Sequence, residues 1–132
     1  MNVGLDTSVL LRLMVGQPEK QTEVAVRFLD DIRKAGHQAV VSDLVAAEAY
    51  FAMQYHYGIS KASALAALRR MFQAGEVLAS GHAGQVLEIP SLESAKPGFV
   101  DRLIHTAYTS GSGQMATFEK AAGKLPDVML LK

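Results

Sequence analysis

Four acidic residues stand where carboxylates can do chemistry: Asp6, Glu48, Asp101 and Glu119. Asp6 closes the short run Asn2–Leu5 and precedes a change to helical spacing. It should therefore lie beyond the carboxyl end of a strand, where open α/β sheets bind ligands. An aspartate there is also a favoured helix cap. Glu48 shares an i, i+4, i+7, i+11 helical face with Leu44, Phe51 and Tyr55. A carboxylate is thus expected inside an apolar stripe. Burying it unpaired is costly, so it calls for a metal or for a structural partner. Asp101 falls in the first turn of a helix whose apolar side is Val100, Leu103, Ile104 and Ala107. The helix dipole alone favours an acid there. Glu119 follows Met115-Ala116-Thr117-Phe118, just past another strand, and by itself reads as a solvated side chain. Brought together, such acids would repel one another and need a cation. Oxygen-only ligation selects hard ions, Mg²⁺ or Mn²⁺.

The elements that must hold these residues alternate in type. Residues 2–6 read as a strand. Val9, Leu10, Leu13 and Met14 mark one face of a helix stopped by Gly16 and Pro18. A second helix spans about 19–34, with Val24, Ala25, Phe28, Leu29 and Ile32 as its apolar stripe. Residues 38–41 form the next strand. Ser42 caps a helix over 43–57, ended by Gly58, and Ser60 caps another over 61–73. A strand follows at 76–79. Gly81, Gly84, Pro90 and Pro97 make residues 80–98 a loop with at most short helical pieces. A helix at 99–108, a strand at 114–117, a helical turn at 118–123 and a strand at 128–131 complete the chain. This alternation predicts a three-layer α/β/α domain with a short central, mainly parallel sheet. No repeat or linker interrupts it, so residues 1–132 are expected to form a single domain.

Composition narrows the function classes. The chain has no cysteine, so a metal would be held by oxygen or histidine, and a reducing cytoplasm is permitted. Lys plus Arg equals Asp plus Glu, at 13 each, which gives no broad basic field for coating nucleic acid. No run is long and apolar enough to span a membrane, and the N-terminus lacks a signal-peptide pattern.

The segments VGLDTSVLLRLMV, VVSDLVAAEAYFAM, GFVDRLIHTAY and MATFEKAAGKLPDVMLL, in that order, resemble the PIN-domain ribonucleases. Within that family they are similar to the VapC-like toxins of bacterial toxin–antitoxin pairs. The resemblance covers essentially the whole chain. It implies a metal-dependent RNA endonuclease using Mg²⁺ or Mn²⁺ and leaving a 5′-phosphate and a 3′-hydroxyl. Asp6, Glu48, Asp101 and Glu119 would be the metal-site acids, and the first three the catalytic set. Ser8 and Thr117 would support the carboxylates. The resemblance further implies an RNA substrate, an antitoxin partner, a homodimer and a cytoplasmic location. Two positions depart from the family pattern: Gly98, where members often carry a further acid, and Glu119, where aspartate is usual. These departures keep a second class open, a PIN-like module that binds RNA or protein without cutting.

Other side chains have competing roles. Arg12, on the helix that Asp6 precedes, would meet a substrate phosphate or pair with an acid. His105, four residues after Asp101, would contact phosphate or support the acids. Tyr50, Phe51, Tyr55 and Tyr57 resemble a platform for stacking bases, although aromatics at helical spacing usually pack a core. The helix at 61–73, rich in alanine and leucine, would serve either a subunit interface or the core. A phosphatase or phospho-receiver also places an aspartate after its first strand, but position 8 is serine where the phosphatase pattern wants a second acid.

Overall fold

A computed structural model describes all 132 residues. In chain order the elements are β1 (Asn2–Gly4), α1 (Thr7–Val15), α2 (Glu19–Lys34), β2 (Gln38–Val41), α3 (Asp43–Tyr55) and α4 (Lys61–Ala74). They continue with β3 (Val77–Ala79), α5 (Ala83–Leu87), α6 (Phe99–Thr109), β4 (Met115–Thr117) and β5 (Val128–Leu130). Short 3₁₀ turns occupy Leu92–Ser94 and Ala122–Lys124. The architecture is the expected three-layer α/β/α arrangement. Every strand pairing is parallel, with β2 between β1 and β3 and with β4 beside β5. The sheet is divided, because no ladder joins β1 to β4.

Local chemistry sets the helix ends. Ser42 and Ser60 accept the backbone N–H groups of Val45 and Ser63, which makes them the N-caps of α3 and α4. Gly16 ends α1 at φ 80°, a left-handed conformation that glycine adopts without strain, and its N–H returns to the Arg12 carbonyl. α2 packs on α1 and on β2, while α1 and α4 both pack on α3. One cluster includes Leu5, Leu10, Ala39, Val41, Met53, Leu65, Leu68, Val77 and Phe99, all buried. Ala64, Leu65 and Leu68 place the apolar side of α4 in this core, which leaves that side unavailable for a subunit interface.

The buried faces of three helices differ from those expected. α3 turns Ala46, Ala49, Tyr50 and Met53 inward, while Leu44, Phe51 and Tyr55 are exposed at 72%, 43% and 78%. Glu48 lies on the exposed face with them. Both sides of α3 are apolar, so periodicity does not choose between them. Close packing against α1 and α4 selects the side with small alanines. On α2, Ala25 and Ile32 are buried, but Val24 and Phe28 face out. On α6, Phe99, Leu103 and His105 are buried, whereas Ile104 is 46% exposed and Ala107 is also exposed.

Asp43 anchors the loop after β3. Its Oδ1 accepts the N–H groups of His82 and Ala83 at 2.8 and 2.9 Å. A Cβ at Gly81 would stand 2.7 Å from the same carboxylate, so any larger residue there would displace Asp43 from these bonds. Asp43→Ala leaves two N–H groups without their carboxylate. It is expected to cost about 1–3 kcal/mol, read as a lower urea midpoint with an unchanged slope. A loss within about 0.5 kcal/mol, the range of an ordinary surface substitution, would remove this anchoring role.

Candidate active site

The site is assembled at the start of α1. Asp6 is its N-cap, and one oxygen, Oδ1, accepts the Val9 N–H at 3.1 Å and the Ser8 hydroxyl at 2.6 Å. The Ser8 hydroxyl, followed by the Val9 N–H, holds the Asp6 carboxyl below the usual carboxylate range. Asp6 is therefore firmly ionised at neutral pH, and it is exposed. Its capping bonds fall on Oδ1, so Oδ2 is left for a ligand. Cap and candidate ligand are one side chain using two oxygens.

The neighbouring residue, Thr7, donates its hydroxyl to Glu48 Oε1 at 2.9 Å. This bond joins α3 to the start of α1 and ties a second carboxylate to the residue that follows Asp6. Glu48 is reached from the exposed side of α3 rather than buried in the core. The anomaly that singled it out, a carboxylate inside a buried stripe, is absent. Its link to the start of α1 rests on Thr7 rather than on Ser8. The available signal was a hydroxyl directly after the strand-end acid. Asp43, also outside the sequence-predicted set, serves the loop rather than a ligand.

Asp101 is exposed in the first turn of α6, behind Gly98, which offers no side-chain cap. Glu119 is exposed two residues beyond β4, and its N–H is donated to Thr117 Oγ1 at 3.0 Å. Thr117 thus shapes the turn carrying Glu119 and does not bond a carboxylate. No three acidic or histidine side chains lie close enough to hold one ion between them. The structure joins Asp6 to Glu48 through Thr7 but does not gather all four acids.

Two expected substrate contacts are occupied elsewhere. Arg12 donates through Nε to Gln21 at 2.6 Å and through Nη1 to the Tyr57 hydroxyl at 3.3 Å. It ties the far end of α1 to α2 and to the segment after α3, about 9 Å along the helix axis from Asp6. His105 is buried, and its Nε2 lies 2.7 Å from the Pro126 carbonyl oxygen. It joins α6 to the approach to β5 and is not available as a phosphate contact.

The donor chemistry of Asp6 and Glu48 suits a hard divalent ion. Both donors are carboxylates, Asp6 is held ionised, and both residues are exposed. Mg²⁺ retains several waters and commonly uses one or two carboxylates together with substrate phosphates. An open two-carboxylate site therefore suits it better than a closed protein cage. No curated protein and no solved structure matches the chain. The family model of the PIN domain matches residues 3–126 of the 132, a span that contains Asp6, Glu48, Asp101 and Glu119. The chain belongs to the PIN domain family.

Proposed function

We propose that this PIN domain, formed by the whole chain, is a divalent-metal-dependent RNA endonuclease, and that it is the toxin of a toxin–antitoxin pair. PIN domains are generally nucleases, and the observation that carries the reading here is the Thr7–Glu48 hydrogen bond beside an ionised Asp6. Asp6 and Glu48 would hold the ion, which is Mg²⁺ or Mn²⁺, with Asp101 and Glu119 as further acids facing the RNA. When bound, the ion supplies a water of lowered pKa and charge stabilisation for phosphodiester hydrolysis. Thr7 fixes Oε1 of Glu48, which leaves Oε2 to orient the attacking water and accept its proton. Ser8 and the Val9 N–H keep Asp6 in one rotamer, so its free Oδ2 points outward without further ordering cost.

The toxin reading adds an antitoxin, a homodimer and a cytoplasmic location. A groove of about 690 Å³ supports the first. Leu13, Met14, Leu29, Met71 and Val77 line it, with Arg27, Arg33 and Arg70 and the acids Asp30 and Glu76 also present. An apolar peptide would suit that lining. No helix is long and apolar enough to cross a membrane. A second reading, a module that binds RNA or protein without cutting, draws on the absence of a ready three-acid group.

The test is incubation of the purified chain with structured RNA and Mg²⁺. Cleavage is expected to yield 5′-phosphate and 3′-hydroxyl ends, to stop on chelation and to return with Mn²⁺. No metal-dependent cleavage under these conditions would sink the nuclease reading in favour of the binding module.

A further inference from the structure

We infer that residues 112–132 form a hinged flap, and that its closure beside β1 carries Glu119 to Asp6 and Glu48. The inference rests on the nuclease reading above and adds a moving part to its site.

The flap is nearly separate from the body of the protein. No apolar residue after Leu103 belongs to the main core or packs against it. Met115 and Ala122 are buried, but outside that core. β4 packs on α6, and one hydrogen bond ties residues 112–132 to the rest, from His105 Nε2 to the Pro126 carbonyl at 2.7 Å. No salt bridge crosses between the two parts. Ser110-Gly111-Ser112-Gly113 joins them and is exposed throughout. A unit with so little shared burial and bonding moves at low free-energy cost.

Two free strand edges define where it goes. In β1, the Met1 carbonyl and the Leu5 N–H bond β2, so the N–H and C=O groups of Asn2 and Gly4 point the other way. In β4, the Met115 N–H and the Thr117 carbonyl bond Asp127 and Leu131, so those of Ala116 and Phe118 point away from β5. The two edges match in phase. With Gly4 opposite Thr117 in parallel, Gly4 donates its N–H to the Ala116 carbonyl and accepts the Phe118 N–H. Asp6 is two residues past Gly4, and Glu119 is two past Thr117. This register therefore sets the two acids opposite one another, on strands about 5 Å apart. It also makes the divided sheet continuous.

Three carboxylates brought together repel, and a divalent cation among them removes the repulsion. The closed form offers that cation one carboxylate more than the open form, so binding shifts the flap toward closure.

Amide exchange at Gly4 and Phe118, read by NMR, tests the flap without relying on activity. Both amides are expected to exchange freely in the metal-free chain. Mg²⁺ is expected to slow both by at least about fivefold, what one typical hydrogen bond contributes. Glu119 is exposed, so Glu119→Gln leaves the fold intact. That variant is expected to bind Mg²⁺ through Asp6 and Glu48 yet leave both amides unprotected. Wild-type chain that binds Mg²⁺ in calorimetry and cuts RNA, with Gly4 and Phe118 unchanged, overturns the flap alone. Equal protection in Glu119→Gln overturns the part given to Glu119. Neither binding nor cleavage by the wild-type chain overturns the nuclease reading as well.

Discussion

Asp6→Asn is expected to abolish metal-dependent RNA cleavage, with a loss of at least about a thousandfold, while leaving the fold in place. The two halves of this expectation come from the two oxygens of one side chain. Asparagine caps helices about as well as aspartate, because its carbonyl oxygen accepts the same N–H. The Val9 and Ser8 bonds to Oδ1 should persist, and stability at neutral pH should change by less than about 1 kcal/mol. The charge that would hold the cation disappears. Loss of a metal worth several kcal/mol to the transition state corresponds to three or more powers of ten in rate. Calorimetric titration with Mn²⁺ separates this from a folding defect: the wild-type chain should bind and Asp6→Asn should not. Wild-type binding with intact cleavage in Asp6→Asn would remove Asp6 from the site. No binding by either chain would favour the module that does not cut.

The same substitution carries a pH signature. The folded carboxyl of Asp6 ionises below its ordinary range because Ser8 and Val9 donate to it. A lowered folded value means that the unfolded state binds the proton first as pH falls. The stabilisation is complete above the ordinary carboxylate value and is lost as pH drops through the lower folded value. Asp6→Asn should therefore flatten the acid side of the stability profile. The amplitude is small, because Asp6 is exposed and water screens it.

Much of the fold could be read from residue types. The strands at 38–41 and 128–131, the serine caps at 42 and 60, and the glycine stop at 16 are local signals, and each appears within a residue or so. Strand alternation with helices implied the parallel sheet, because parallel strands need crossovers. What stayed hidden was which side of an all-round apolar helix faces inward. On α3 the choice falls to Ala46 and Ala49, whose small volume permits close packing, and that is a property of α1 and α4 as much as of α3 itself. The expectation that Glu48 lies in a buried stripe does not hold. It is exposed, and the hydroxyl of Thr7, the residue after Asp6, bonds it. Asp101 and Glu119 were placed by resemblance, and their local bonding adds no further tie to the pair. His105 shows the opposite limit. A histidine four residues from an acid looks functional in one dimension, and the missing partner, the Pro126 carbonyl, is 21 residues away.

Phe99→Ala is expected to lose about 3–5 kcal/mol of stability, the cost of removing a fully buried aromatic ring. Phe99 is 1% exposed and meets the Tyr50 ring edge-on at 5.1 Å and 70°. Such a pair contributes about 0.5–1.5 kcal/mol beyond the area it buries. A domain of this size is stable by about 5–15 kcal/mol, so one ring supports a large share of the total. Chemical denaturation should show a much lower midpoint, and thermal unfolding should fall by about 10–20 °C. Phe118→Ala is the control: Phe118 is 73% exposed and should lose no more than about 0.5 kcal/mol. Equal losses in the two variants would refute the packing assignment. The position of Phe99 gives the experiment a functional reading as well. It is the first residue of α6, two before Asp101, and through Tyr50 it packs on the inward face of α3, the helix whose other side bears Glu48. A milder change, Phe99→Leu, keeps an apolar side chain in the pocket and leaves a smaller cavity. If its cleavage falls well below wild type at a temperature where the chain remains folded, the register of α6 against α3 matters to the chemistry, and Asp101 acts from α6. If cleavage is unchanged, Asp6 and Glu48 suffice, and Asp101 stands in the first turn of α6 for the helix dipole alone.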